Sequence, residues 1–243
     1  MDLKLKDVAD LLNVSEMTIQ DWLSEGKIPA YRINNQYRFS RVEIENWVLN
    51  NKLPKPACKK NLRDTHTDLD SSLENQQEDN PPIVKGGVKQ FSLFRAIHKG
   101  GVINKAQGNS KEEIIRSATK IIASELKLDA EVLSELLLDR ENLQPTALNN
   151  GIGIPHPRDF LLNSPHDVVT IVFPESPVEY GALDGKPVSI LFFLFACKDK
   201  SHLHLLAKIA HFCSNKKTLE FLNTHPSKKE LLDYVKDWES KIV

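Results

Sequence analysis

Two histidines lie in surroundings that suit phosphorus chemistry. His156 lies between Gly151-Ile-Gly153-Ile-Pro155 and Pro157, so two glycines and two prolines fix its loop. An imidazole is neutral enough near pH 7 to act as a nucleophile, and it can accept phosphorus on nitrogen. His202 is placed in the first turn of a predicted helix, where free backbone N–H groups and the helix dipole favour an anion. The pattern indicates a histidine held in a defined pose that could act as a nucleophile.

The segments around these histidines predict an α/β domain in which a mixed sheet is flanked by helices. The segments 167–173 and 188–196 are rich in β-branched and aromatic residues, and the second is apolar on both faces, so it should be central in its sheet. Helices are predicted after the Ser110/Glu113 capping box, over about 130–139, over 202–213 and behind the Ser227/Glu230 box. Strands with helices packed around them indicate a sandwich.

Three sequence blocks carry a family resemblance. GIGIPH, VEYGALDGKPVSILFFLF and SHLHLLAKIA closely resemble, in order and spacing, the fructose/mannitol/nitrogen-type IIA proteins (PtsN-like, EIIA type 2) of the phosphotransferase system. The resemblance covers about residues 90–240 and implies that His156 accepts phosphate from the carrier HPr and passes it on. It also implies that His202 steadies the phosphoryl group and that Arg140 helps to neutralise it. Thr146 and Arg158 are expected to support the same site.

The loop departs from the family pattern at Pro157, where glycine usually follows the histidine. Proline removes a backbone N–H donor, so transfer could be slower or the loop merely stiffer. No metal or cofactor is expected, because positioned donors can stabilise the transition state of transfer between histidines. His204 and His211 share a helix face, but a third ligand at suitable spacing is missing from the sequence, which argues against zinc.

Residues 1–53 are predicted to form a small winged helix-turn-helix domain. A helix over 5–12 is followed by a second helix that Ser15 caps and Gly26 ends. Two short strands, 30–33 and 37–39, are joined at Asn34-Asn35 and precede a third helix over 41–50. The order helix, turn, helix, hairpin, helix is the plan of a small winged helix-turn-helix domain.

The stretch 8–48 resembles the excisionase/MerR-like DNA-binding family, which implies that the second helix enters the major groove of duplex DNA. The candidate contacts are Ser15, Glu16, Thr18 and Gln20 on that helix, and Lys27, Arg32, Arg38 and Arg41 around the wing. Residues 1–53 hold seven Lys and Arg against eight Asp and Glu, so one copy should bind weakly. Homodimerisation on paired half-sites would remedy this. A protein-interaction module is the alternative reading.

The bulk composition describes an ordinary soluble protein of two domains. The 243 residues carry a formal net charge of −1, so the overall charge gives no indication of nucleic-acid binding. Residues 54–90 are polar and nearly free of aromatics, which predicts a flexible linker between a domain at 1–53 and an EIIA type-2 domain at 91–243. The first residues lack the apolar core of a signal peptide, the run 188–197 is too short for membrane insertion, and three cysteines without a C-x-x-C pair suggest no disulfide scaffold. The expected compartment is the cytoplasm.

The leading hypothesis is a regulatory phosphocarrier that couples the phosphorylation state of His156 to DNA binding and transcription. One rival is a transport IIA component that donates phosphate to a sugar-specific IIB protein. Another is a regulator that docks on other proteins, with the N-terminal segment serving as an interaction module.

Overall fold

A computed structural model describes residues 2–12, 14–33, 36–50, 91–159, 161–162 and 165–241 of the chain. The predicted linker at 54–90 and the Asn34-Asn35 turn lie outside the described residues. The domain limits at 53 and 91 therefore stay predictions.

The N-terminal part has the helix and strand order that the sequence predicts, with one additional strand. Its elements are β1 (Asp2–Lys4), α1 (Leu5–Leu12), α2 (Glu16–Ser24), β2 (Tyr31–Ile33), β3 (Gln36–Ser40) and α3 (Arg41–Asn50). The three strands form an antiparallel sheet with β3 in the middle.

Local chemistry fixes the limits of α2. The Ser15 hydroxyl accepts a hydrogen bond from the backbone N–H of Thr18 at 3.1 Å, which satisfies one of the donors left free at a helix start. Gly26 follows the helix with φ of +65°, a conformation that costs glycine little. The core beneath the helices contains Val8, Ile19 and Phe39, each fully buried. Residue type and position thus agree with the predicted helix-turn-helix.

The C-terminal part is built on a mixed four-stranded sheet. Its elements are α4 (Ser92–Gly100), β4 (Val102–Ala106), α5 (Lys111–Leu126), α6 (Ala130–Leu143), β5 (Ile152–Gly153), β6 (Val168–Pro174), β7 (Ile190–Phe195), α7 (Asp199–Cys213), α8 (Lys216–Leu222) and α9 (Lys228–Lys241). The strand order is β4-β6-β7-β5; β6 and β7 are antiparallel, and the two outer strands run parallel to their neighbours.

Side chains of the two inner strands point alternately into two cores. Along β7, Ile190, Phe192 and Leu194 join the core formed with α4, α7 and α9. Leu191 and Phe193 join the core formed with α5 and α6. The sheet is thus covered on both faces, which confirms the predicted α/β class and the central position of β7.

The sequence reading missed some elements and shortened one. The sequence pattern did not reveal β1, α4, β4, β5 or α8, and it ended α6 near Asp139, whereas the helix continues to Leu143. The polar run Arg140-Glu141-Asn142 resembled a helix end, but Arg140 and Glu141 are buried and have partners in the folded chain. Their polarity serves the site and does not mark a loop.

The two parts of the chain pack against each other. Helices α1 and α3 lie on α7, and their apolar side chains belong to one continuous buried cluster with those of the C-terminal part. Two ion pairs border this contact, Arg41–Asp199 at 2.5 Å and Asp7–Lys200 at 3.5 Å. The N-terminal domain is therefore docked through α1 and α3.

A buried carboxylate ties α9 to the start of α4. Glu239 is fully buried, accepts hydrogen bonds from the backbone N–H groups of Leu93 (3.1 Å) and Phe94 (2.9 Å), and pairs with Lys208. Replacing Glu239 by Gln should lower the free energy of unfolding by about 3 kcal/mol, because it breaks a buried ion pair.

Urea denaturation would measure this change. Glu220→Gln is the matched control, since Glu220 forms only an exposed pair with Lys216 and should change stability by less than about 0.5 kcal/mol. Equal unfolding free energies for the two variants would contradict a stabilising role for the Glu239 contact.

Candidate functional site

The loop that carries His156 is held at several backbone positions. The Ile154 N–H donates to the Thr146 carbonyl at 3.0 Å, and the Leu194 N–H donates to the Pro155 carbonyl at 2.9 Å. The histidine lies three residues after the end of β5 and is only 1% exposed. Pro155 has no N–H to donate. The loop is therefore anchored through the Pro155 carbonyl and the Ile154 N–H.

The contacts of the His156 ring distinguish its two nitrogens. Nδ1 lies 2.7 Å from the carbonyl oxygen of Ile154, which can only accept, so Nδ1 carries the hydrogen. Nε2 is therefore the nitrogen that can present a lone pair when it carries no hydrogen. Phosphorus would be accepted at Nε2, not at Nδ1.

A carboxylate from the N-terminal domain meets this nitrogen. Glu45 of α3 places Oε1 2.5 Å from Nε2 of His156. The same oxygen accepts from Arg140 Nη2 at 3.0 Å and Nε at 3.3 Å. The other oxygen, Oε2, lies 3.6 Å from His202 Nε2, beyond hydrogen-bond length but within ion-pair range. Glu45 thus contacts all three predicted catalytic side chains.

The predicted site residues His156, His202 and Arg140 do come together. The imidazole rings of His156 and His202 have centroids 5.0 Å apart in an edge-to-face arrangement. Arg140, in the last turn of α6, also donates from Nη1 to the Gln144 carbonyl at 3.0 Å, which orients the guanidinium. The assembly holds one anion between a guanidinium and two imidazoles.

The surroundings keep Glu45 ionised. Burial alone would raise the pKa of Glu45, but the contacts with His156 and His202 and the charges on their rings outweigh burial and hold the pKa well below its usual range. Burial lowers the pKa of His202, although Glu45 opposes this effect. The Glu45 carboxylate is therefore buried in its ionised form, beside the buried Arg140 guanidinium.

Thr146 supports the site indirectly. Its backbone N–H and its hydroxyl both donate to the buried carboxylate of Glu141, at 2.9 and 2.6 Å. Because Thr146 in turn accepts from Ile154, Glu141 anchors the strand that positions His156. Burial raises the pKa of Glu141, while the two Thr146 bonds oppose that change. Arg158 is exposed two residues beyond His156, and its phosphate-supporting role stays a prediction.

Comparison with protein families identifies the C-terminal part of the chain. The model of the phosphoenolpyruvate-dependent sugar phosphotransferase system, EIIA 2, matches residues 95–238. The chain belongs to the EIIA 2 family. A helix-turn-helix domain model matches residues 3–52, so both resemblances seen in the sequence are confirmed.

Relatives of the EIIA domain include a protein named as nitrogen regulatory and one named as a mannitol-specific phosphotransferase component. A nitrogen regulatory protein of Pseudomonas aeruginosa is 34% identical over 148 residues, which cover 60% of this chain and 95% of that protein. The mannitol-specific phosphotransferase enzyme IIA component of Geobacillus stearothermophilus is 28% identical over 142 residues, 58% of this chain and 95% of its own length. The crystal structure of nitrogen regulatory protein IIA-Ntr from Neisseria meningitidis aligns with a TM-score of 0.51 at 30% identity, covering 56% of this chain and 93% of that chain.

The EIIA site has donor atoms that could also hold a metal. Side-chain donors of Glu45, His156 and His202 all lie within 4.8 Å of one another, a set that suits zinc. The Arg140 guanidinium, however, lies 3.0 Å from the same carboxylate oxygen and would repel a cation. The charge around the site therefore favours an anion.

The candidate DNA contacts lie on the domain docked against the EIIA domain. Ser15, Glu16 and Gln20 on α2 are exposed, and Thr18 is half-buried. Arg32 is exposed, Arg38 donates to the Gln36 side chain, Lys27 pairs with Glu25, and Arg41 pairs with Asp199. Their contacts with DNA stay predictions.

Sequence reasoning missed Glu45, which counted only as one of eight acids in the N-terminal segment. One signal was available: Glu45 lies beside the buried Ile44 and near Trp47 and Val48 in α3. A charged side chain next to an apolar helix stripe is costly to bury unless a partner of opposite charge is buried with it, so this position indicates such a partner. Among the described residues, none forms a helix long and apolar enough to cross a membrane.

Proposed function

We propose that the chain is a regulatory phosphocarrier that accepts a phosphoryl group on His156 and couples its phosphorylation state to DNA binding by the N-terminal domain. The supporting observation is the carboxylate of Glu45, which reaches Nε2 of His156 while Arg140 and His202 face the same anion. A site that holds one anion against this nitrogen has the charge needed to hold a phosphoryl group there.

The transfer step uses a phosphohistidine of an HPr-like carrier as donor. With Glu45 out of contact and the Nε2 proton given up to solvent, the Nε2 lone pair of His156 attacks phosphorus and the donor's N–P bond breaks. The electron pair of that bond returns to the donor imidazole, which leaves neutral because its other nitrogen carries a hydrogen. The Ile154 carbonyl keeps its hydrogen bond to Nδ1–H and stabilises the positive charge that develops on the ring. Arg140 faces the phosphoryl oxygens with its planar fork of donors.

The test is phosphoryl transfer to the full chain. Purified protein is incubated with HPr that enzyme I and radiolabelled phosphoenolpyruvate have phosphorylated. We expect one acid-labile label per chain, mapped to His156 by mass spectrometry. The Glu45→Ala variant, which lacks the carboxylate in contact with Nε2, is tested beside the wild type. Absence of label from both proteins would refute the phosphocarrier proposal.

A transport role is the second candidate, favoured by the relative named as a mannitol-specific IIA component. In that case the phosphorylated chain would pass its label to a IIB protein. Incubation with purified IIB proteins distinguishes the two roles, because a purely regulatory chain keeps its label.

The exposed cations of the wing carry the proposed contact with duplex DNA. Arg32→Ala should weaken binding of the full chain and reduce the slope of log K against log salt by about 1, as expected for one lost phosphate contact. Gel-shift titrations at several salt concentrations would measure both.

Lys216→Ala, which removes a cation from the EIIA domain, serves as control and should change neither value. If the wild type shows no binding to duplex at low salt, the DNA-binding part of the proposal is wrong and the N-terminal domain is an interaction module.

The proposal places the chain in the cytoplasm with HPr. Sedimentation of the chain with a duplex that carries two half-sites would reveal a homodimer.

A further inference from the structure

Glu45 occupies the position that a phosphoryl group would need. Its Oε1 lies 2.5 Å from Nε2 of His156 and 3.0 Å from Arg140 Nη2, and the side chain is 9% exposed. An ionised carboxylate can only accept, so Nε2 donates to it. In this arrangement the nitrogen that should attack phosphorus has no free lone pair.

The contacts around Glu45 show that it arrives as part of a docked surface. Arg41, one helical turn before Glu45 on α3, pairs with Asp199 at the start of α7. On the other side of the contact, Asp7 of α1 pairs with Lys200 of α7. Helices α1 and α3 pack on α7 through apolar side chains of one buried cluster. This surface places the Glu45 carboxylate in the anion site and covers His156.

Burial of Glu45 also makes docking depend on the state of the site. A carboxylate taken out of water is costly unless positive donors surround it. Here the donors are Arg140 and His156, with His202 nearby, the same groups assigned to the phosphoryl group. Two anions cannot share these donors.

We propose that Glu45 is a built-in mimic of the phosphoryl group, so that docking of the N-terminal domain and phosphorylation of His156 exclude each other. The inference rests on the proposed phosphocarrier function. A phosphoryl group bonded to Nε2 would take the space that Oε1 of Glu45 occupies and would remove the hydrogen bond between these two atoms. It would also bring a charge of about −2 against the buried carboxylate. Phosphorylation therefore releases α1 and α3 from α7, and docking slows phosphorylation.

Zero-length cross-linking of the unmodified chain reports docking directly. A carbodiimide joins a carboxylate to an amine, and Asp7 Oδ1 lies 3.5 Å from Lys200 Nζ. We expect an Asp7–Lys200 linked peptide from the unphosphorylated protein and at least a fivefold lower yield after phosphorylation by phospho-HPr. Lys200→Arg keeps the charge but removes the reactive amine, so it identifies the specific product. An undiminished yield in protein shown to carry phosphate on His156 would overturn the proposal.

Kinetics give a second, independent readout. If about one chain in ten is undocked, Glu45→Ala should phosphorylate about tenfold faster than wild type, because the reactive fraction limits the rate. Glu45→Ala should also lose the Asp7–Lys200 cross-link. Glu43→Gln changes an exposed acid of the same helix and should alter neither value.

The outcomes separate the two proposals. Labelling of Glu45→Ala about tenfold faster than the wild type, with loss of the cross-link, supports both. Labelling of the wild type at an unchanged rate in Glu45→Ala, with the cross-link retained, leaves the phosphocarrier function standing and overturns the competition. No label in any variant overturns the phosphocarrier function and, with it, the competition.

Discussion

His156→Ala should abolish acceptance of the phosphoryl group from phospho-HPr, lowering label to background. The expectation follows from the ring geometry, since Nε2 is the nitrogen left for phosphorus once Nδ1 donates to the Ile154 carbonyl. Nearby imidazoles should not substitute. His202 is held in α7 with its ring edge-on to His156 and its ring centroid 5.0 Å from that of His156. The measurement is acid-labile radiolabel per chain in a single-turnover reaction.

His211→Ala is the matched control, because His211 lies on α7 against Trp238 and takes no part in the site. It should label like the wild type. Full labelling of His156→Ala, mapped to any other histidine, would contradict the assignment. A circular dichroism spectrum and a urea melt equal to those of the wild type would show that loss of label is not loss of folding.

Arg140→Gln should slow transfer to His156 by a factor on the order of 100 to 1,000, the range seen when one preorganised donor to a developing charge is removed. Arg140→Lys should retain part of the rate, because an ammonium keeps the charge but cannot reproduce two donors aimed at one oxygen. Rates are compared in the Glu45→Ala background, so that altered docking of the N-terminal domain does not mask the chemical effect.

Arg116→Gln provides the control for a lost arginine in the same domain. Arg116 joins the exposed carboxylates of Glu112, Glu131 and Glu135, and its removal should leave the transfer rate within about twofold of the parent. An Arg140→Gln rate equal to that of Arg116→Gln would show that the guanidinium orients Glu45 and does nothing for phosphorus.

That His156, His202 and Arg140 lie together could be expected from sequence, because they stand in motifs of fixed spacing that resemble one family. Their roles in phosphoryl transfer stay predictions. His156 lies in a loop that glycine and proline define, and Arg140 and His202 take their roles from the family resemblance. The fold class followed from the same regularities, since the apolar segment 188–196 could be stable only inside a covered sheet. The limits of α6 could not be read, because polar residues that mark a helix end in water are here buried against partners elsewhere in the chain.

The role of Glu45 was beyond a sequence reading for a different reason. It contacts a histidine 111 residues away through docking of one domain on another, and no local periodicity records such a contact. The residue resembled an ordinary acid on an exposed helix face. Arg41 was likewise assigned to DNA alone, although in this structure it pairs with Asp199. Contacts between domains depend on the shape and charge of the surfaces of two folded domains, which local sequence patterns do not record.

The outward position of α2 limits how the docked form can differ from the released one. Ser15, Glu16 and Gln20 stay open to solvent while α1 and α3 face the EIIA domain. The exposed residues of α2 are thus open in the docked form, so release of the domain is not needed to uncover them. Under the proposed function, phosphorylation would therefore act on DNA binding through the faces of α1, α3 and α7 that release exposes.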